Sequence, residues 1–591
     1  MSETLESLLA RGASAVHTPA AQHAWLTTIR DMQQHARFRS PSHQHDLQQL
    51  HSFITQGIVL DLIDEPTPQR YANTHLVSQH RELVRSRLQE YVALGAVMPL
   101  PASDTHPDMV QPLHVIVKPG KKPRLVIDLS RNLNTHIDAP AFRMETVSVA
   151  VQRSKPNCFY TKLDLSNCFL SFPLHPSMFR FFTFEFEGVL YCFVRLPFGL
   201  NVAPYLCTLL LSVVSFRLTQ LGITHTRYLD DWLLIALTHA ACTAAGSTTK
   251  QVFALFGLVN NNEKEVPPTQ VVEYLGIIID SRQQQIRLSA ERVTELLGLL
   301  HTFSQHNRQR VTIARARTLL GKLSFAATVL PTARPFMRAL INMTLHKSPH
   351  AAARFTNETY AALQFWQHRL PLWNGLLKWP SITSVRTLHI YTDASIAGFG
   401  FHCAFQVGRD TLESVYAYHG VFDQRFNTIG FLDHRRIALL ELIAVLMALH
   451  QLATLFDTES PNSFRAIRLH TDNNTNVGAI MAQATKSSFV GPVLRAIYDF
   501  CFRRSLTISA VHIEGTANCL ADFLSRPSLN LGRPELHWSA FAQKLTPPSP
   551  LLPSAFLCMD SLCLSLPELF DRRPPGPSTP LSTWSPASPS A

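Results

Sequence analysis

Two adjacent aspartates, Asp230 and Asp231, sit between two apolar runs in Thr226-Arg-Tyr-Leu-Asp-Asp-Trp-Leu-Leu-Ile235. Apolar runs around so short a polar break predict a β-hairpin with both acids at its turn. Aspartate is a common turn residue, so the pair taken alone would be structural. Sixty-six residues upstream, Asp164 lies between apolar neighbours in Thr161-Lys-Leu-Asp-Leu-Ser-Asn-Cys-Phe-Leu170, a segment of strand character. A carboxylate in such a strand needs a partner, because an unpaired buried charge is costly.

The chain has 591 residues, 46% of them hydrophobic, a length that divides into about three or four domains with large cores. Lys and Arg number 53 against 42 Asp and Glu, a net charge of +11. That excludes a basic tail protein but leaves room for a localised electropositive groove. The ten cysteines are far apart with no C-x-x-C pair, so zinc and dithiol chemistry have no motif here and a reducing compartment fits. The most apolar segment, Tyr205 to Phe216, stops at Arg217, short of the roughly 20 residues that span a bilayer. No basic n-region precedes an apolar stretch at Met1. The expectation is an intracellular protein, cytoplasmic or nuclear, neither secreted nor partnered with a membrane.

Residues 1–73 are rich in His, Gln, Ser and Thr, with weak periodicity, and stay unassigned. Residues 546–591 contain eleven prolines with many Ser and Leu, a composition that opposes helices and sheet ladders and predicts a disordered tail. Between them, 74–280 reads as α+β, opening with a helical pattern from His80 to Leu94 that Gly95 can stop. Residues 285–357 are helical by periodicity, and from Leu296 to Asn357 contain no Asp or Glu but include Arg308, Arg310, Arg315, Arg317 and Lys322. Such a block is either a solvated basic face or a helical clamp on a phosphate backbone. Residues 385–527 read as a compact α/β domain.

The acids of the first block keep informative company. Asp164 is followed five residues on by Phe169, then come Leu196-Pro197-Phe198-Gly199 and Tyr228-Leu-Asp-Asp231. In the same order stand His114-Val-Ile-Val-Lys118 and Arg124-Leu-Val-Ile-Asp128 around a Lys-rich turn, then Asn201 and Pro204, Lys264, and Tyr274-Leu-Gly276. This pattern resembles the reverse transcriptases, right-hand polymerases with fingers, palm and helical thumb. The resemblance implies that Asp164, Asp230 and Asp231 are the catalytic carboxylates, with Leu165 beside Asp164 in the metal set. It implies that Lys118, Arg124, Phe198, Gly199 and Lys264 bind substrate, and that Phe169 lies beneath the sugar and obstructs a 2′-hydroxyl, so that the product is DNA. The chemistry agrees: nucleotide addition is an in-line phosphoryl displacement in which two divalent ions roughly 3.5 to 4 Å apart stabilise the attacking and leaving oxygens, so at least two carboxylates must converge. Magnesium is hard and oxygen-seeking, which suits a site without His or Cys.

The third block holds a second acidic series: Asp393, Glu441, Asp472 and Asp522, spaced by 48, 31 and 50 residues. At helical offsets Glu441 shares a face with Ile437, Ala438, Ala444 and Val445, so its carboxylate projects from a face that otherwise looks buried. The order Asp-Glu-Asp-Asp resembles ribonuclease H, in which these four residues would hold metal and His512, ten residues before Asp522, would assist catalysis or product release. Together the blocks resemble retroelement polyproteins, and the wording Tyr-Leu-Asp-Asp-Trp and His-Ile-x-Gly-x-x-Asn-x-x-Ala-Asp-x-Leu-Ser-Arg is most similar to the DIRS group of tyrosine-recombinase retrotransposons. That resemblance implies two Mg²⁺ ions (or Mn²⁺) per active site, and RNA template, DNA primer, dNTPs and an RNA:DNA hybrid as partners. A catalytically inactive nucleic-acid-binding remnant is the alternative.

Overall fold

The computed structural model describes residues 15–38, 40–100, 109–118, 121–305, 310–345, 347–372, 386–407, 411–422, 436–453, 464–487, 489–504 and 506–526. The tail expected over 546–591, the turn residues Pro119 and Gly120, and Arg308 lie outside them. The chain divides into two compact units, Met1–Gln284 and Gln285–Ala591.

The first unit is built on a four-stranded antiparallel sheet in the order Thr224–Tyr228, Asp231–Ala236, Phe159–Asp164, Val266–Thr269. Trp232, Leu233 and Leu234 are all fully buried, so the second strand is covered on both faces and reads as a continuous apolar run rather than an alternation. Helix His239–Leu255 packs on this sheet. Its Gly246 permits the approach, since a Cβ there would lie 3.3 Å from Thr161 Cγ2. A hairpin of Leu113–Lys118 and Lys121–Ile127 stands apart from the sheet as a separate two-stranded ribbon.

The N-terminal segment, unassigned from sequence, belongs to this unit's core. Helices Pro19–Gln34 and Pro41–Gln56 each begin with a hydroxyl cap followed by proline: Thr18 accepts from Ala21 N and Ser40 from His43 N, both at 3.4 Å. Cap and proline together preset the first helical turn. Trp25, Ile29 and Met32 are buried, and Trp25 Nε1 donates to the Phe256 carbonyl at 3.0 Å. The Trp25 ring meets Phe172 and Phe256 edge-on.

The second unit opens with helices Ala290–Gln305, Ile313–Ala326, Arg338–Thr344 and Asn357–Leu372. Part of the acid-free block's charge is engaged within the unit. Arg317 donates to the carbonyls of Thr344 and Lys347, Lys322 pairs with Glu295, and Arg315 lies over the Phe303 ring. Next comes a five-stranded sheet in the order Thr411–Val421, Gly398–Val407, Arg386–Ala394, Phe464–Thr471, Thr507–His512. The first three strands are antiparallel and the last two join in parallel, which requires crossover connections that carry helices. Helix Ile437–Gln451, buried at every position from Leu439 to Leu449, packs against the central strand and against helix Val490–Arg503. The second unit thus holds the α/β arrangement expected over 385–527, after an α+β first unit.

Candidate active sites

In the first unit the hairpin register sets the acids. Tyr228 pairs with Asp231, leaving a two-residue loop of Leu229 and Asp230, with Leu229 in the left-handed region at φ +54°. Asp231 therefore starts the returning strand instead of sharing the turn, which corrects the sequence expectation: the backbone reverses in two residues, and a loop of that length needs positive φ. Asp164 ends its own strand directly opposite Asp231, and Leu165 N donates to the Asp230 carbonyl at 3.0 Å. The three carboxylates thus share one end of three adjacent strands. The Leu165 side chain is buried, so only its main chain could meet a metal.

Asp164 is 3% exposed, yet it is not alone. Lys264 Nζ donates to both its oxygens at 2.9 and 3.1 Å, and Asn261 Nδ2 reaches Oδ1 at 3.4 Å. Lys162 pairs with Asp231 at 3.0 Å. Asp230 has no such cation within bonding distance among the described residues, and burial, followed by the charges of Asp164 and Asp231, pushes its pKa up to about 6. Lysine 264 was expected at the substrate; here it neutralises a candidate metal ligand.

The Leu-Pro-Phe-Gly stretch is locked to the separate hairpin. Ile127 N donates to the Phe198 carbonyl at 3.1 Å, and Gly199, at φ +114°, leaves no room for a Cβ beside the Ile127 carbonyl. That close approach is what the glycine provides. Phe198 in turn carries the Arg124 guanidinium 5.6 Å over its ring and braces Phe169 edge-on at 5.3 Å between centroids. Phe169 is half-buried. The main chain of Lys118 pairs with Lys121, while its side chain lies outside what the structure describes. Asn134 was not singled out by sequence, yet it donates to the Gly199 carbonyl and accepts two bonds from Asn201, one from its main-chain N and one from its Nδ2.

In the second unit, Asp393, Glu441 and Asp472 present carboxylate oxygens within 4.8 Å of one another, the single such group of three among the described residues. Asp393 comes from the central strand and Asp472 from just past the end of its parallel neighbour. Glu441 projects from helix Ile437–Gln451 and is 7% exposed. Gly400, directly across from Asp393, has no space for a Cβ because helix Cys519–Ser525 crosses there with Leu524 against it. This crossing brings Ser525 Oγ to donate to Asp393 Oδ2 at 2.6 Å. Asn476, 1% exposed, donates to Glu441 Oε2 at 3.2 Å.

All of these helpers are neutral, and the carboxyls respond. Burial first, then the charges of Asp393 and Asp472, push Glu441 up to about 8. Burial also pushes Asp393 up to about 6, against the Ser525 bond that favours its charge. His512 brings Nε2 within 3.2 Å of the Asp472 carbonyl. Asp522 is the member that does not join: its carboxylate pairs with Arg526, one helical turn on. Ser525 and Asn518, which donates to the Thr392 carbonyl at 3.0 Å, lie inside the quoted Asn-x-x-Ala-Asp-x-Leu-Ser-Arg wording, so their signal was present in the sequence. Asn476 had none.

Both sites offer carboxylate oxygen without thiolate, a donor set that suits a hard divalent cation. Three acids within 4.8 Å, whose side-chain hydrogen-bond donors among the described residues are the neutral Asn476 and Ser525 and near which the cation Arg526 is paired with Asp522, form a cage that such a cation would relieve. Among the described residues no helix is long and apolar enough to cross a membrane.

Residues 116–279 match the family model described as reverse transcriptase (RNA-dependent DNA polymerase). The Gag-Pol polyprotein of avian reticuloendotheliosis virus is 26% identical over 252 residues, 41% of this chain and 21% of that protein. The Gag-Pol polyprotein of koala retrovirus is 22% identical over 317 residues, 52% and 18%, and the Pro-Pol polyprotein of simian foamy virus type 1 is 26% identical over 239 residues, 39% and 19%. The chain thus spans about a fifth of the length of these curated relatives. A solved foamy viral protease-reverse transcriptase in complex with dsDNA superposes at a TM-score of 0.47 with 16% identity, covering 83% of this chain and 97% of that one. Residues 116–279, within the first unit, are thus similar to the reverse transcriptase family, and the chain is similar over part of its length to retroviral Pol proteins.

Proposed function

We propose that the chain is an RNA-directed and DNA-directed DNA polymerase with ribonuclease H activity, copying the RNA of a retroelement of the DIRS group into DNA and degrading the RNA strand of the resulting hybrid. One observation carries this reading: each unit has its own carboxylate set gathered at the ends of paired strands, Asp164 with Asp230 and Asp231 in one and Asp393 with Glu441 and Asp472 in the other. Two magnesium ions, or manganese, would be held by Asp164 and Asp230 with Asp231 and the Leu165 main chain, and in the second unit by Asp393, Glu441 and Asp472, with Asp522 joining them only if its carboxylate leaves Arg526; there they would supply the charge that phosphoryl transfer and hydrolysis need.

The chain's own residues do the rest. Lys264 balances Asp164 and, with Lys118 and Arg124, supplies positive charge for a dNTP triphosphate. Phe169, braced by Phe198, stands in the space of a 2′-hydroxyl. In the second unit Ser525 aims Asp393, Asn476 aims Glu441, and His512 stands beside Asp472, where an imidazole can carry a proton during cleavage or product release. The substrates are an RNA template, a DNA primer, dNTPs and the RNA:DNA hybrid, in the cytoplasm or nucleus.

Primer extension on RNA with dNTPs and magnesium tests the reading, with hybrid cleavage measured on the same preparation. Extension and cleavage above those of Asp164→Asn and Glu441→Gln, respectively, are expected. Activities no greater than these variants would leave the inactive nucleic-acid-binding remnant as the function.

A further inference from the structure

A small pocket of about 70 Å³ opens in the second unit between helix Arg338–Thr344 and the start of helix Val490–Arg503. It lies apart from the carboxylates. Its lining includes Arg338, Glu358, Thr485, Lys486, Ser487 and Arg495, so three cations face one carboxylate. Glu358 reaches only Arg495, at 3.6 Å, and its own side chain is 48% exposed. The Nε of Arg338 is buried with no hydrogen-bond partner, and no described carboxylate pairs with Lys486. A buried guanidinium nitrogen without an acceptor is costly, and the remedy is an oxygen-rich anion.

The geometry around the cations is ordered. Gly491, in the first turn of Val490–Arg503, lines the pocket beside Arg495, whose Nη1 would stand 3.5 Å from a Cβ built there, an ordinary contact distance. Ser487 Oγ accepts from Val490 N at 3.3 Å, and Thr485 Oγ1 accepts from Ser487 N at 3.1 Å, so neither bond uses the hydroxyl hydrogen, and both residues line the pocket. Guanidinium forks, an ammonium and hydroxyl donors around a space for a few water-sized groups match a tetrahedral oxyanion.

We propose that this pocket binds one phosphoryl group, either a backbone phosphate of a nucleic acid or free inorganic phosphate. The assignment is independent of both catalytic readings, because no residue of either carboxylate set lines it.

The test uses the full chain without magnesium. Thermal midpoints are measured against inorganic phosphate, with chloride at matched ionic strength as the comparison. The wild type should show a saturable rise that chloride does not reproduce. Arg338→Ala and Lys486→Ala should abolish it, and Glu358→Gln, which removes the one opposing charge, should bring saturation to lower phosphate. Lys486 is exposed, so its variant should melt like wild type in chloride and report on binding alone. The two sources separate in a second measurement. If the phosphate belongs to a nucleic acid, both alanine variants bind an RNA:DNA hybrid about tenfold more weakly, as for one lost charge-assisted contact, and phosphate competes with the hybrid. If it is free phosphate, hybrid affinity is unchanged. A midpoint that follows ionic strength alone, or a phosphate response that Arg338→Ala and Lys486→Ala leave intact, overturns the proposal.

Discussion

The two acidic sites solve the same electrostatic problem by opposite means. In the first unit lysines stand among the acids, Lys264 on Asp164 and Lys162 on Asp231, and burial pushes Asp230, which has no such partner among the described residues, up to about 6. In the second unit the helpers Ser525 and Asn476 are neutral, and the cost falls on protonation, with Glu441 pushed to about 8. A site with built-in countercharge keeps its shape when empty of ligands, whereas a site without it depends on protons or on an incoming cation. The difference teaches that clustered carboxylates alone do not define how a site behaves; the sign of what lies beside them does.

The largest effect separates the units. Asp164→Asn or Asp230→Asn should abolish DNA synthesis and spare hybrid cleavage, while Glu441→Gln should lower cleavage by orders of magnitude and spare synthesis. Assaying both activities for each variant checks this, and joint loss with unchanged melting would break the division of labour.

A second effect tests the neutral site directly. Because Glu441 has a higher pKa folded than unfolded, the folded state holds more protons between the ordinary glutamate range and about 8, so its contribution to stability declines as pH rises through that window. Glu441→Gln should therefore stabilise the magnesium-free protein at pH 8, by an amount on the order of a few kcal/mol, and change little near pH 4. Urea unfolding at the two pH values measures it. Equal effects at both would mean that the neutral donors suffice.

Next, Phe169→Val should raise the kcat/KM ratio of ribonucleotide to deoxyribonucleotide by roughly 10- to 200-fold, the range in which a shaped pocket discriminates small groups. An unchanged ratio would return Phe169 to a packing role. The smallest effect concerns the basic helices. Neutralising Arg310 and Arg315 should flatten the slope of log affinity against log salt by up to about two, at roughly 0.9 per phosphate contact. Arg317, already hydrogen-bonded to carbonyls, should give no change when replaced by Gln.

The gathering of acids was legible in part: Asp164, Asp231 and Asp393 stand in apolar strand segments and Glu441 on an apolar helix face, whereas the pairing of Asp522 with Arg526 was not anticipated. The hairpin around Asp230 and the helix from Arg81 to Ala93, which ends just before Gly95 at φ +69°, follow from local periodicity and punctuation. Three further things were not legible. The Asp230–Asp231 turn was placed one residue too generously, since the register depends on the positive φ of Leu229 and no glycine or asparagine announces it. The contact of Lys264 with Asp164 spans 100 residues, and no local pattern encodes such a pair. The N-terminal helices were missed for a different reason: Thr18-Pro19 and Ser40-Pro41 are helix-start signals, but the polar composition between them hid the stripe of Trp25, Ile29 and Met32.

That buried stripe also governs when the first unit can be completed during synthesis. The indole of Trp25 finds its acceptor 231 residues later, and at roughly 5–20 residues per second a ribosome takes on the order of 10–50 s to make that stretch. Through this interval the apolar faces of both leading helices wait without their docking surface, a nascent-chain state suited to holdase chaperones. A protein cut back to the family-matched region, starting at 116, would have the reverse defect: Phe172 and Phe256 would lose the ring between them, leaving a sticky patch on an otherwise foldable core. Solubility on recombinant expression is thus a property of the first sixty residues as much as of the four-stranded sheet.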